Sequence, residues 1–148
     1  MQQTLVLIKP DGVQRRLCGD ILSRFERKGL RIVGAKFVMA SKDLASKHYA
    51  VHAGKPFYDS LLQFLTSGPT LAVVLEGREA VAVVRGLMGP TDGTKAPPAT
   101  IRGDFALSVQ NNLIHGSDSV DNAQLETKLW FKPDELVSWA PADQSWVG

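Results

Sequence analysis

His115 stands between an apolar pair, Leu113-Ile114, and the polar run Gly116-Ser117-Asp118-Ser119. That setting puts an imidazole where a short strand ends and a helix begins, with glycine keeping the backbone clear of the ring. Amides at a helix start attract anions, and a neutral imidazole is a nucleophile. The same pattern fits a loop histidine that merely precedes a helix cap, and the local residues leave both readings open. Three basic residues add a second strand to the argument. Lys9 ends the first apolar run, immediately before Pro10-Asp11-Gly12; Arg85 ends an ambiguous segment; Arg102 closes a long loop. Phosphoryl transfer needs positive groups on the transferring oxygens, and arginine can grip them bidentately. Each alone reads as a solvated surface charge; together, at element ends, they suggest a phosphate site.

Other chemistry finds less support. The chain has no GxGxxG. Gly29 and Gly34 have phosphate-loop spacing, but Ala35-Lys36-Phe37 follows, so the lysine is one place late and the magnesium-binding hydroxyl is missing. His48 and His52 would share a helical face, yet Tyr-Ala-Val between them lacks a metalloprotease glutamate and no third ligand is near in sequence. They are expected to be ordinary surface or half-buried histidines, and a metal-dependent hydrolase is disfavoured. The single cysteine, Cys18, excludes an internal disulfide and a cysteine metal cluster.

The elements that must position these groups follow from periodicity. Thr4–Ile8 reads as a buried strand and Pro10-Asp11-Gly12 as a turn. Cys18, Ile21, Leu22 and Phe25 recur at helical spacing, and Gly29 closes that helix. In Arg31–Ala40 the odd positions Val33, Ala35, Phe37 and Met39 would line one strand face. Lys42–Ala50 reads as a short helix. Pro56 opens another, on which Phe57, Leu61, Phe64 and Leu65 share a side. Leu71–Leu75 is a continuous apolar strand. Glu79–Met88 is ambiguous between strand and helix. Gly89–Asp104 shows no period, and a stretch that long inside a domain is usually functional or disordered. Val120–Trp130 is expected to be helical, capped by Ser117 or Ser119, and the tail with two of the three tryptophans to pack on the body. Strand–helix alternation alone would suggest a parallel sheet.

Composition sets the bounds. The 148 residues, 44% hydrophobic and 22% charged, suit one folded domain over 1–148 without repeat or linker. A net charge of 17 − 15 = +2 names neither nucleic acid nor membrane as partner. The first apolar run is too short for a signal peptide and no run of about 18 apolar residues exists. A cytoplasmic domain is expected.

The motifs TLVLIKPDGVQR, HYAVHAGKPFY, TSGPTLAVVLEG, TIRGDF, NNLIHGSDSV and LWFKPDELVSW together resemble the nucleoside diphosphate kinase family, from about Thr4 to Trp146 without insertion. The resemblance implies transfer of a γ-phosphoryl group from a nucleoside triphosphate, typically ATP, to a nucleoside diphosphate by a ping-pong route through a phosphohistidine. His115 would be the nucleophile, with Glu126 and Ser117 holding its imidazole. Lys9 would contact the phosphates and the sugar hydroxyl; Arg85, Thr91 and Arg102 would clamp the phosphates, with Tyr49 close by. Asn112 would bind the ribose. Phe57 would stack on the base, with Leu61 and Val109 nearby; a place for Phe57 in a core stripe is the competing reading. Mg2+ would arrive bound to the nucleotide phosphates, with little or no protein ligation.

The same resemblance implies a ferredoxin-like α/β sandwich with a four-stranded antiparallel sheet covered by helices, and makes Glu79–Met88 helical. It implies a homo-oligomer, tetramer or hexamer, built from dimers. A catalytically idle nucleotide- or nucleic-acid-binding relative is the alternative, but every catalytic position is retained. Departures gather in the long loop. Asp92-Gly93 replaces the usual Asn-Pro, which should loosen the chain. Pro98-Ala99 replaces Pro-Gly, and Ala99 cannot take a positive φ cheaply. Arg16 and Cys18 stand where Gly and Val are commoner.

Overall fold

Four strands, each buried on at least one side, organise the molecule, and the computed structural model describes Met1–Gly148. Strand β1 (Gln2–Ile8) and strand β3 (Pro69–Gly77) are the central pair, apolar on both faces. Val6, Ile8, Val73 and Leu75 point into one core layer; Leu5, Leu7, Ala72 and Val74 point into the other. Strand period two thus divides a continuous apolar run between two helical layers. Helix α2 (Cys18–Lys28) and helix α5 (Ala80–Met88) cover the first layer through Ile21, Phe25, Ala80, Val84 and Met88. Helix α3 (Lys42–His48), helix α4 (Tyr58–Leu65) and helix α7 (Val120–Trp130) cover the second through Ala45, Leu62, Leu65 and Trp130. The ambiguous segment before Gly89 is helical, as the resemblance implied.

The sheet order is β2-β3-β1-β4, where β2 is Arg31–Met39 and β4 is Ile114–Gly116, and every pairing is antiparallel. The parallel sheet suggested by alternation is therefore corrected. Both β1 and β2 run antiparallel to β3, so they are parallel to each other, with β3 inserted between them. Alternation detected the β1–α2–β2 crossover but not the strand that splits it.

Several local expectations are also corrected. Pro10-Asp11-Gly12 is not a free turn but opens helix α1 (Pro10–Gln14), with proline at the first helical position where its missing N–H costs nothing. In β2 a bulge between Ile32 and Gly34 breaks the period, so Val33 is buried while Ala35, Phe37 and Met39 face out. One extra residue flips every later side chain to the other face. On α4 the buried side is Leu62 and Leu65, while Leu61 and Phe64 turn to a cleft.

The long loop folds into a 3-10 turn, Gly93–Lys95, and helix α6 (Ile101–Phe105), which Thr100 caps by accepting from the Gly103 amide at 3.0 Å. Asp92 caps the 3-10 turn, and a side chain at Gly93 would run into the Ala106 carbonyl. Ala99 does adopt a positive φ, +79°, and Arg16 another at +60°. The tail is tied down only in part. Val137 N–H donates to Val33 and the Trp139 indole to Ile32, whereas Trp146, in helix α8 (Gln144–Val147), is 90% exposed. No helix is long and apolar enough to cross a membrane.

Candidate active site

Strand β4 sits opposite β1 with His115 facing Leu7, so the histidine projects into the layer of α3 and α7. Helix α7 begins where Ser119 accepts from the Asn122 amide at 3.1 Å, which settles the choice of cap. Two turns later the helix brings Glu126 to the imidazole: His115 Nε2 lies 2.8 Å from Glu126 Oε1. Ser117 is fully buried and donates its hydroxyl to the same oxygen at 2.6 Å. A carboxylate there accepts the Nε2 proton, which leaves Nδ1 as the ring nitrogen with the lone pair. Burial by itself would raise the Glu126 carboxyl. The hydrogen bond and charge of His115, with the Ser117 hydroxyl, hold it below the usual glutamate value.

His48, at the end of α3, packs edge-on against this imidazole with ring centroids 4.6 Å apart. The Trp130 indole donates to His48 Nδ1 at 3.2 Å. Burial, reinforced by His115, pushes His48 down to about 3, so it is neutral in ordinary buffers. His48 is half-buried, within the expected range, but it is not ordinary: it packs on His115 and accepts from Trp130. Its place in HYAVHAGKPFY is the one sequence signal for this role, since its partners His115 and Trp130 are distant in the chain. His52 does lie at the rim, where Lys55 approaches its Nδ1 at 3.2 Å.

A cleft of about 740 Å3 opens beside His115. Lys9, Arg85 and Arg102, drawn from the ends of β1, α5 and the long loop, line it as a cationic side. Lys9 is 8% exposed and donates to Asn112 Oδ1; burial, with Arg102 close, lowers its ammonium to about 8 despite Asp11. Arg102 is buried and donates to the carbonyls of Gly89, Asn112 and Ile114. Burial and Arg85 bring it down to about 10, so it stays charged at neutral pH. A guanidinium has five N–H donors; the remaining two are free for an anion. Arg85 reaches Gly116 O at 3.4 Å. The Asn112 amide donates to Thr91 O at 3.1 Å, joining two more of the expected residues. Tyr49 lines the same cleft, and burial with Glu126 nearby raises its hydroxyl to about 12, so it remains protonated.

The far side is apolar. Phe57, 47% exposed, Val109, 57% exposed, and the half-buried Leu61 supply apolar lining. Phe57 precedes α4 and lies outside both core clusters, against the core-stripe reading. Every residue expected at the site lines this cleft except Ser117, which lies behind it on Glu126.

The donor chemistry for a cation is specific. His48, His115 and Glu126 bring ligand atoms within 4.8 Å of one another. Two imidazoles and a carboxylate suit zinc-like ions, whereas Mg2+ prefers oxygen ligands. Glu126 is already committed to His115 and Ser117, and Asp118 accepts from the Asn122 side-chain Nδ2 at 2.6 Å. The cleft thus has no cage of free carboxylates.

A split antiparallel α/β sandwich that aims a carboxylate-held histidine into a cationic cleft with an aromatic lip defines a nucleotide-handling phosphotransferase site. Residues 2–136 match the family model described as nucleoside diphosphate kinase. The chain belongs to the nucleoside diphosphate kinase family. It is 51% identical over 147 residues to the nucleoside diphosphate kinase of Staphylococcus carnosus, covering 99% of this chain and 98% of that one. It is 54% identical over 146 residues to the enzyme of Prochlorococcus marinus, covering 99% and 96%. The fold superposes with a TM-score of 0.97 on a halophilic nucleoside diphosphate kinase from Halobacterium salinarum, solved in complex with CDP. That chain is 50% identical, with 99% and 98% coverage.

Proposed function

We propose that this chain moves the γ-phosphoryl group of a nucleoside triphosphate to a nucleoside diphosphate through a phosphohistidine at His115. The observation that carries the reading is the 2.8 Å pairing of His115 Nε2 with Glu126 beside the cationic cleft. The Nδ1 lone pair attacks the γ-phosphorus, the bond to the β-bridging oxygen breaks, and the nucleoside diphosphate leaves. The ring becomes a phosphorylated imidazolium whose Nε2–H charge Glu126 stabilises, with Ser117 fixing the carboxylate. The second half reverses the step: a terminal oxygen of an incoming diphosphate attacks phosphorus and the electrons of the P–N bond return to Nδ1.

Lys9, Arg85 and Arg102 meet the charge on the phosphate oxygens, and Thr91 and Tyr49 complete the phosphate side. Asn112, with Lys9, takes the sugar hydroxyl. Phe57 stacks on the base with Leu61 and Val109 beside it; every base has a π-face, so discrimination among bases is weak. Phosphoryl transfer in this family works with a divalent cation. We assign Mg2+, brought in with the nucleotide phosphates, whose charge it would partly neutralise; the committed carboxylates of the cleft suit an ion brought in this way.

The whole of residues 1–148 acts as one domain in this reading, in the cytoplasm. It acts as a homo-oligomer of dimers, tetramer or hexamer; exposed Phe37, Met39 and Trp146 supply apolar surface for assembly, and light scattering fixes the number. Steady-state transfer from ATP to several diphosphates tests the activity. Parallel double-reciprocal lines and similar kcat/KM across bases are expected; intersecting lines would reject the phosphoenzyme route.

A further inference from the structure

The segment that delivers His115 is strained two residues earlier. Leu113 is fully buried and not glycine, yet its φ is +76°. The Ile114 amide donates to Asn112 O at 2.9 Å, so Asn112, Leu113 and Ile114 form a γ-turn of the positive-φ kind. Such a residue is strained and persists only where its surroundings over-determine it. The surroundings here come from the start of the chain. The Leu113 amide donates to Asp11 Oδ2 at 3.0 Å, and its carbonyl accepts from the Lys9 amide at 2.9 Å. Both backbone groups of the strained residue are therefore held by Lys9-Pro10-Asp11. Gly12 makes the approach possible, because a Cβ there would meet Leu113 O at 3.1 Å and Ile8 Cγ2 at 2.8 Å. Arg102 holds the flanking carbonyls of Asn112 and Ile114.

Asp11 does this at a cost. Its other oxygen, Oδ1, is buried without a hydrogen-bond partner, which a merely solvated turn residue would avoid. The nearby charges of Lys9 and Arg102 make a carboxylate tolerable there. A neutral side chain with the same acceptor oxygen would serve the amide equally well.

We infer that Asp11 is a positioning residue: its carboxylate holds the Leu113 γ-turn, and the turn aims the His115 ring at the reacting phosphorus. The inference rests on His115 as nucleophile for its kinetic consequence, while the clamp itself is independent of that reading. Displacement of a nucleophile by about 1 Å can cost on the order of 10²-fold in rate.

The test compares Asp11→Ala with Asp11→Asn in the full chain. Single-turnover phosphorylation of His115 by ATP is followed together with hydrogen exchange of the Leu113 amide. Asp11→Ala should slow phosphorylation about 10- to 100-fold at saturating ATP, with nucleotide KM changed less than about threefold, and should deprotect the Leu113 amide. Asp11→Asn, which keeps an acceptor oxygen, should stay within about threefold of wild type in rate and keep the amide protected. If Asp11→Ala does not fold, Asp11→Ser, whose shorter side chain stops short of the amide, takes its place. An alanine or serine variant with wild-type rate and protection overturns the clamp. So does an asparagine variant as slow as the alanine one, which would assign the effect to charge. A wild-type chain that forms no adduct on His115 fails the functional reading instead, and the exchange data still decide the clamp.

Discussion

His115 Nε2 and Glu126 Oε1 are 2.8 Å apart, and the same carboxylate oxygen accepts the buried Ser117 hydroxyl at 2.6 Å. One oxygen thus fixes the tautomer of the proposed nucleophile and is itself fixed from behind. Glu126→Ala should lower the rate of His115 phosphorylation on the order of 10²-fold, with a smaller effect on nucleotide affinity. Rapid-quench single turnovers measure this; a rate within threefold of wild type would remove Glu126 from the mechanism.

Phe57 is half-exposed at the lip of the cleft and belongs to neither core cluster. Phe57→Ala should reduce kcat/KM by about tenfold, comparably for purine and pyrimidine diphosphates, since stacking is worth about 1–3 kcal/mol per base. Thermal stability should change little. A large drop in stability with unchanged kinetics would return Phe57 to a structural role.

His48 gives acid sensitivity a direction. Its folded value is about 3, against 6.5 for the free side chain, so between these limits the unfolded chain binds the extra proton. Stability therefore falls as pH drops through that window, by up to about 1.4 kcal/mol per pH unit. His48→Asn should flatten the difference between pH 6.5 and 5.5, where carboxyl groups stay mostly ionised in the folded and unfolded chain alike. Urea unfolding at stepped pH reads the slope; parallel slopes for the two proteins would contradict the assignment.

Ala99 takes a φ of +79° at a position where an L side chain is strained. Arg24 holds its carbonyl at 3.0 Å and Asp104 its amide at 3.0 Å, which keeps the turn in place. Ala99→Gly should raise stability by about 0.5–1 kcal/mol, the relief of strain exceeding the added freedom of the unfolded chain. A shift of the urea midpoint to higher concentration, with transfer kinetics unaltered, is the expected result; a lower midpoint would show that the surrounding bonds already relieve the strain.

What the sequence made legible was mostly local. The α2 stripe ending at Gly29 and the boundaries of α7 follow from spacing and caps. The site residues were found through motifs, because Lys9, Arg85, Arg102 and His115 become neighbours only by strand pairing. Three features were hidden for physical reasons. The β2 bulge is a single-residue event that periodicity averages over. Phe57, Leu61 and Phe64 line a cleft, and hydrophobicity cannot tell that surface from a core. His48 owes its character to burial beside Trp130 and His115, contacts made across 82 and 67 positions of chain.

The central claim is that phosphate passes through His115. Incubation with γ-labelled ATP and Mg2+, followed by alkaline denaturation and peptide mapping, tests it most directly. The account predicts about one acid-labile, alkali-stable phosphoryl group per chain on the peptide containing His115, discharged by added nucleoside diphosphate and absent from His115→Ala. An adduct that persists in His115→Ala, or transfer at wild-type rate without one, would contradict it.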